Sequence, residues 1–531
     1  VGEGSIPSPT SGKGFMKILW SSNSPFCPTG YGQQTAQVTL RLHEAGHDVY
    51  IFAFYGFDGK KIMWNDMPVF GNNIGDYGQK RGPEYYKFFD CNILITLIDA
   101  WVLNQQDPTV NWAPWLPIDH DPPPPLVIQA LKDNIGLIKP ITMSKFGHDQ
   151  LAKNGIESYC VPHGVNTELY APRKPWGDAV RESNSWQNKF VVGCVGTNTV
   201  ERKNWTASLK AFKKFSDNHD DVVFYMHTQA VQGKGLDLNA MRFALGLDGK
   251  TFFPSQVQMS LGIEDDVMVQ AYNAMDVFLL PSKGEGFGIP IMEAQSCGVP
   301  VITTNCTSQA ELVDGGWLIK DLIPVWTAQN SWQFDCKPDE IVEYLEDAYE
   351  AKKNGSIDER RVKARNKALE YDEKKIFDEL WKPALADLEK KVKAPRNREG
   401  IQTWRTYFIP PTSIPRKVLD LGCGETMPYK EALSGLGEYV PVDLKGGNGI
   451  VKANAENLPF NDGEFGFVWC SEMLEHVDNP EKVLSEAKRV GRHGVMLFST
   501  PVNGNFRIDP DHKVVKLPYT TLATGDGFIG W

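Results

Sequence analysis

The stretch PSKGEGFGIPIMEAQSCGVP occupies residues 281–300. Before it runs AMDVFLL at 274–280, apolar but for Asp276, and VPVITT at 299–304 overlaps its end. Two short apolar runs joined by a glycine-rich turn and a short helical stretch read as strand, turn, helix, strand. Pro290 suits the first helical turn, where no intrahelical bond needs its N–H, and Gly298 suits the stop. A helix beginning beside Gly286, Phe287 and Gly288 aims unpaired N–H groups and its positive dipole end into the turn. Such a mouth binds a diphosphate. Glu285 and Glu293 stand eight positions apart (293 − 285) on either side of it. Carboxylates accept hydrogen bonds from hydroxyls. The pattern therefore sets Glu285 against a transferred hexose and Glu293 against a ribose, the two ends of one nucleotide sugar.

Upstream, FVVGCVG at 190–196 reads as a buried strand that opens the Rossmann-like unit holding this turn. The loop at 197–201 leads to Arg202 and Lys203, then to a helix with Trp205, Leu209, Ala211 and Phe212 on one side. Two cations at a loop that opens a helix suit a phosphate clamp, one forked and one a point charge. VVFYMHT at 222–228 is the next strand, and 238–247, 263–274 and 309–312 read as helices.

An earlier unit repeats the pattern. KILW at 17–20 is a strand, residues 33–44 have helical spacing that stops at Gly46, and HDVYIF at 47–52 is a strand. Gly30 and Gly32 in the first turn let backbone approach a ligand. CNILITL at 91–97 is a further strand ending near Asp99. His120 follows WLPID just past a strand end, where sites of α/β sheets collect. It is the candidate to contact a sugar in the cleft, with Asp99 and Asp119 behind it. ITMSKFG at 141–147 and CVPHGVN at 160–166 read as closing strands and turns.

EGFGIPIMEAQSCGVPVI closely resembles the glutamate-x7-glutamate element of retaining glycosyltransferases of the GT-B fold, family 4 type. The resemblance covers residues 17–322 and implies two Rossmann-like domains facing a cleft. The expected boundaries are 16–170 for the acceptor-side domain, 171–189 for a linker and 190–335 for the nucleotide-sugar domain. Residues 336–400 are expected to form a helical bridge crossing back, with Leu369, Ile376, Leu380, Leu385 and Leu388 on one apolar side. The family implies transfer with retention, without a metal, by front-face attack. It implies Glu285 and His120 as catalytic residues. Gly30, Gly32, Arg202, Lys203, Phe287, Gly288 and Glu293 are implied as donor-binding. Thr197 departs from the pattern, standing where many members carry Arg, so either Arg202 takes that role or the phosphate contact is looser.

RKVLDLGCGE at 416–425 restarts strand and glycine turn, and YVPVDL at 439–444 is a strand ending in an acid that suits ribose hydroxyls. An NAD site is the rival, but its third glycine falls on Met427. DLGCG instead resembles motif I of class I S-adenosylmethionine methyltransferases, ANAENLPF at 453–460 their adenine-side loop, and MLEHV at 473–477 their post-strand helix. The resemblance implies S-adenosylmethionine as cofactor, with Asp420, Gly422 and Gly424 at its methionine part, Asp443 at the ribose and Glu456 at the adenine edge. Asn454 and Gly466 depart from the pattern. The 116 residues from 416 to 531 (531 − 416 + 1) are short for seven strands, so the expected domain at 401–531 is a truncated one.

The bulk composition fits this reading. At 531 residues the chain holds about three domains. Its hydrophobic share of 41% and charged share of 23% are those of a globular protein. The net charge of −11 argues against a general nucleic-acid or anionic-membrane surface. Nine cysteines without a CxxC pair suit reduced thiols in the cytoplasm. No apolar run is long enough to span a bilayer. Residues 1–15 read as a disordered leader or tag, with Met16 a native start. The function expected is sugar transfer from a nucleotide diphosphate sugar to a glycan, lipid or other hydroxyl acceptor, with a C-terminal domain that binds S-adenosylmethionine and methylates. Two rivals remain: glycosylation of a hydroxylated pyrimidine in DNA, and a noncatalytic scaffold with relic pockets.

Overall fold

The structure, a computed structural model, describes residues 15–530 except 60, 73–76, 104–106, 108, 199–200, 256–258, 260–261, 393–416, 425–426, 428–429, 435–436, 448, 472, 474–476, 492–495, 500–520 and 525–526. The leader before residue 15, the stretch 393–400 of the bridge, Glu425 of the glycine turn and most of the MLEHV helix lie outside the described residues. The chain divides into two compact units, Val1–Lys393 and Ala394–Trp531.

Among its described residues the first unit carries two large sheets and a two-stranded hairpin. Strands β1 (Lys17–Asn23), β2 (Asp48–Tyr55), β3 (Lys61–Trp64), β4 (Met67–Gly71), β5 (Ile93–Leu97), β6 (Trp112–Leu116), β7 (Ile141–Thr142) and β8 (Tyr159–Cys160) form one. Their order is β3-β4-β2-β1-β5-β6-β7-β8, parallel except for the β3–β4 pair. The central strands are largely apolar, and every residue of β5 and β6 is buried, as in a parallel sheet covered on both faces. The sequence reading has no strand at 61–71; there Asn65 and Asp66, both at positive φ (45° and 61°), turn a hairpin at the sheet edge.

The second sheet runs β11-β10-β9-β12-β13-β14, all parallel. Its strands are β9 (Phe190–Val195), β10 (Val222–His227), β11 (Thr251–Phe252), β12 (Val277–Leu280), β13 (Val301–Thr304) and β14 (Trp317–Ile319). Trp205, Leu209, Ala211 and Phe212 of the Trp205–Ser216 helix are fully buried against it. Asp276, the polar break before β12, is 2% exposed and accepts from Val191 N at 2.8 Å. Arg181 (2.8 Å), Lys352 (2.6 Å) and Arg361 (3.4 Å) surround it. Arg181 belongs to a helix, Lys174–Ser183, in the segment expected as a plain linker. Strands β15 (Leu322–Trp326) and β16 (Trp332–Cys336) add an antiparallel hairpin that the sequence reading lacks.

The closing helices return to the first sheet. Val165 bridges Asp372, Arg41 pairs with Glu373 at 2.7 Å, and Trp381 packs 4.9 Å from Trp115 and 6.0 Å from Trp20. Ile376, Leu385 and Leu388 are buried, but Leu369 is 42% exposed, which corrects the single apolar side expected for this segment. The chain turns after Leu369, and Asp372 caps a new helix by accepting from Lys374 N at 3.0 Å. Residues either side of the break therefore do not share a face.

The second unit has one parallel sheet ordered β19-β18-β17-β20-β21. Its strands are β17 (Lys417–Leu421), β18 (Glu438–Asp443), β19 (Val451–Lys452), β20 (Phe467–Ser471) and β21 (Met496–Ser499). Strands β22 (Thr521–Thr524) and β23 (Gly527–Gly530) form a separate antiparallel pair. Five parallel strands are thus described where the resemblance would have seven.

Candidate active site

A cavity of about 1950 Å³ in the first unit is lined from both halves. Gly30, Asp99, Asp119 and His120 come from the first half, and Arg202, Lys203, Glu285, Phe287, Gly288 and Glu293 from the second.

The glycine turn is held by its own backbone demands. Gly288, at φ +120°, precedes the Ile289–Ser296 helix in a conformation that side-chain-bearing residues rarely adopt. Ser308 Oγ lies 2.7 Å from the carbonyls of Glu285 and Phe287, which pins the turn from below. Gly284 and Gly286 meet the opposite half. A Cβ at Gly284 would stand 2.2 Å from the Asp119 carbonyl, and one at Gly286 2.2 Å from Pro117 Cβ.

Glu285 is 5% exposed and clamped by both cations. Arg202 Nη1 and Lys203 Nζ each donate to it at 2.5 Å, on separate oxygens. Burial alone would raise its carboxyl; the charges of Arg202 and Lys203 overcome that and hold it at about 2. Arg202 also donates to Gly284 O at 2.6 Å, so it bridges its 3₁₀ turn and the glycine loop. Its side chain is 30% exposed, against 10% for Lys203, and both line the cavity.

Glu293, 6% exposed, accepts from Tyr272 Oη at 2.7 Å. Burial pushes its carboxyl up to about 7, and the nearby Asp265 charge adds to the rise. Its two framing roles are therefore split electrically: Glu285 is anionic at neutral pH, and Glu293 is balanced between its two forms.

His120 is 1% exposed, with Nδ1 2.7 Å from Asp119 Oδ1 and Nε2 3.0 Å from Thr327 Oγ1. A carboxylate only accepts, so Nδ1 carries the proton of that contact, and Thr327 Oγ1, which Nε2 meets, also donates to Ser331 O at 3.0 Å. Asp99 lies in the same group. Burial pushes it up to about 6, with the Asp119 charge adding.

Gly30 faces the cavity, and a Cβ there would meet Ile289 Cδ1 at 3.0 Å. Gly32 serves its own turn instead of a ligand approach. It is buried outside the cavity wall, its N–H donates to Thr29 Oγ1 at 3.1 Å, and a Cβ would stand 2.1 Å from Cys27 O. His163 was not singled out from the sequence. It is 2% exposed in the cavity wall, burial lowers it to about 3, and its ring sits edgewise 5.3 Å from Phe287 and 4.5 Å from Trp115. Tyr272 and Thr327 were also missed, since neither has a local motif around it.

In the second unit Gly424 N donates to Asp443 Oδ2 at 3.2 Å, joining the glycine turn to the acid that ends β18. Gly424 has φ +61° and open space on its Cβ side, whereas a Cβ on Gly422 would meet Met473 Cγ at 2.8 Å. Asp420, 1% exposed, accepts from Tyr439 Oη at 2.6 Å. Glu456 accepts from Asn479 N at 3.0 Å, at the start of the Pro480–Val490 helix. Gly424 thus borders open space, while Asp420, Asp443 and Glu456 all accept bonds from within the protein.

Among the described residues no group of three or more His, Cys, Asp or Glu is placed to hold a metal ion, and no helix is long and apolar enough to cross a membrane.

Residues 189–330 match the family model described as glycosyl transferases group 1, and residues 419–499 match that of a methyltransferase domain. The Escherichia coli O-antigen chain mannosyltransferase B is 46% identical over 59 residues, 11% of this chain and 16% of that protein. The Escherichia coli UDP-Gal:alpha-D-GlcNAc-diphosphoundecaprenol alpha-1,3-galactosyltransferase is 31% identical over 166 residues, 30% of this chain and 40% of that protein. The matches therefore span less than half the length of either relative. Among solved structures, Anabaena HepE in complex with UDP-glucose superposes with a TM-score of 0.53 at 16% identity, over 70% of this chain and 100% of that one. That likeness is one of fold. The first unit has the GT-B glycosyltransferase fold, residues 189–330 form its glycosyl transferases group 1 domain, and residues 419–499 form a methyltransferase-type domain.

Proposed function

We propose that the first unit transfers a sugar from a nucleoside diphosphate sugar to an acceptor hydroxyl, with retention at the anomeric carbon. The observation that carries this reading is the Arg202–Glu285–Lys203 cluster at the mouth of the Ile289–Ser296 helix. A diphosphate entering there meets two cations and the helix N–H groups, which take up the charge that builds on the leaving group without a metal. The C1–O bond to phosphate breaks and a C1–O bond to the acceptor forms on the same face. The acceptor proton passes to the departing phosphate oxygen. Glu285 and His120 orient the transferred sugar, and Glu293 takes the ribose. HepE was solved with UDP-glucose, and the galactosyltransferase is named for a UDP donor and a lipid-linked acceptor. These names support a nucleotide-sugar donor and a glycan or lipid-linked acceptor here. Nine cysteines without disulfide partners support a reducing, cytoplasmic setting.

The test is transfer and hydrolysis with UDP-, GDP- and ADP-sugars, repeated in the presence of chelator. Turnover of one base class, unaffected by chelator, is expected. No turnover and no nucleotide binding would leave the scaffold reading. Steeply salt-dependent DNA binding would move the assignment to the nucleic-acid reading.

A second reading is favoured by one observation in the other unit: the Asp443–Gly424 contact beside open space suits a nucleoside cofactor. We assign S-adenosylmethionine to it, with methyl transfer to the same glycan. Calorimetry with S-adenosylmethionine tests this directly.

A further inference from the structure

The hairpin of β15 and β16 reaches across the first unit. Thr327 at its tip contacts His120 at 3.0 Å, Trp332 O accepts from Asp121 N at 3.1 Å, and Ser331 Oγ contacts the Pro122 carbonyl. Its tip residues Thr327, Ala328 and Gln329 line the cavity, as does Gln333. The tip is well defined, with Thr327 N donating to Ser331 O at 2.9 Å and Asn330 N to Thr327 O at 3.0 Å.

Immediately behind the tip, Trp326 and Trp332 face each other across the strands, their ring centroids 4.8 Å apart. Both stay in solvent, at 54% and 40% exposure. The period of two along each strand puts Pro324 and Phe334 on the same face, so an apolar strip leads away from the cavity mouth. Exposed aromatic strips of this kind mark binding surfaces. Sugar rings present flat C–H faces with hydroxyls at the rim, which suits the aromatic surface of the two indoles, set edge to face at 74°, beside polar tip residues. An anionic membrane would want basic residues around such a strip. Here the neighbouring charges are paired with one another, Asp321 with Lys337 at 2.6 Å and Asp335 with Lys283 at 2.9 Å.

We propose that this hairpin is the acceptor platform: Trp326 and Trp332 hold the inner residues of a saccharide chain while its terminal hydroxyl enters the cavity past Thr327. The proposal rests on the glycosyltransferase reading of the cavity and names its acceptor as a chain of several sugars.

The test uses the full chain and the double variant Trp326→Ala/Trp332→Ala, with Trp326→Phe/Trp332→Phe as the conservative control. Affinity for the nucleoside diphosphate of the sugar donor that is turned over, measured by calorimetry, serves as the fold and donor-site check and stays within twofold. Mannose, galactose and glucose tetrasaccharides serve as probes. With the active one, the expected result is a saturable change in tryptophan fluorescence in the parent. The acceptor KM should rise at least tenfold in the alanine variant with kcat changed less than twofold, and recover largely in the phenylalanine variant. An unchanged acceptor KM overturns the proposal, as does the absence of a saturable signal with all three tetrasaccharides. Binding to vesicles with one-quarter phosphatidylglycerol that is lost in the alanine variant, with saccharide kinetics intact, assigns the strip to a membrane instead. Failure of the parent to bind any nucleotide is a different result and removes the glycosyltransferase reading itself.

Discussion

Lys203 Nζ and Glu285 Oε1 stand 2.5 Å apart across a domain whose halves of this pair are 82 residues distant in sequence. In the proposed reaction the contact gives Glu285 two tasks, since it would neutralise the clamp that a diphosphate uses and face the sugar to be transferred. Glu285→Gln separates them. Transfer should fall about 10²-fold, the scale of losing one preorganised electrostatic group. UDP should bind at least as tightly, because Arg202 and Lys203 are released for phosphate. Weaker UDP binding in this variant, read by calorimetry, would contradict the shared-clamp arrangement.

The same pair sets an acid limit. The Glu285 carboxyl is lowered to about 2, so its contribution to stability is complete above its ordinary value near 4.5 and is lost as pH falls from there through about 2. That contribution is on the order of 3 kcal/mol. Lys203→Ala leaves Arg202 as the single partner, so the stability slope between pH 2 and 4.5 should flatten. Urea unfolding across that range checks it, and an unaltered slope would remove Lys203 as a cause.

Glu293 behaves in the opposite sense. Its carboxyl is raised to about 7, so the folded chain keeps a proton between pH 4.5 and 7 that the unfolded chain has released, and its contribution to stability declines as pH rises through that window. Ribose hydroxyls donate to an ionised carboxylate, so donor binding near pH 7 should expel a proton. Calorimetric enthalpies in buffers of different ionisation heat would reveal it. Glu293→Gln should abolish the buffer dependence.

Asp276 is the hub for Arg181, Lys352 and Arg361 at the base of β12. Asp276→Ala removes the shared partner of three cations, of which Lys352 and Arg361 reach solvent, and the cost should be about 1–3 kcal/mol. The folded fraction should still bind UDP normally, because none of these residues lines the cavity. A variant with parental stability would show that the three cations are independently solvated.

In the second unit, Asp443→Ala should weaken S-adenosylmethionine at least tenfold while leaving UDP affinity unchanged. Equal loss of both ligands would point to global damage.

Local chemistry was legible and distant pairing was not. Glu285, Gly288 and Glu293 lie within nine residues, and the strand–turn–helix signal around them depends on neighbours in sequence. The parallel α/β architecture follows from the same kind of signal, as apolar runs alternate with helical spacing. The place of Arg202 and Lys203 before a helix, at the cavity, could be read from the sequence. That both close on Glu285 could not, because nothing periodic links positions 82 apart. The same holds for Thr327, which meets His120 across 207 residues, and for Tyr272, whose hydroxyl satisfies Glu293. The β3–β4 hairpin did carry a signal, in the Asn65-Asp66 turn between short apolar runs. The helical stretch behind Asp372 shows the converse error: a continuous charged and leucine-bearing segment conceals a break that one aspartate cap creates.

The bare backbone at Gly284 and Gly286 has a mechanical meaning. With hypothetical methyl groups reaching to 2.2 Å of Asp119 O and Pro117 Cβ, there is no room for even the smallest side chain between the donor loop and the facing loop. The two halves can come this near because nothing projects from either glycine. An alanine there would act as a doorstop, propping the jaws ajar by the thickness of a methyl group.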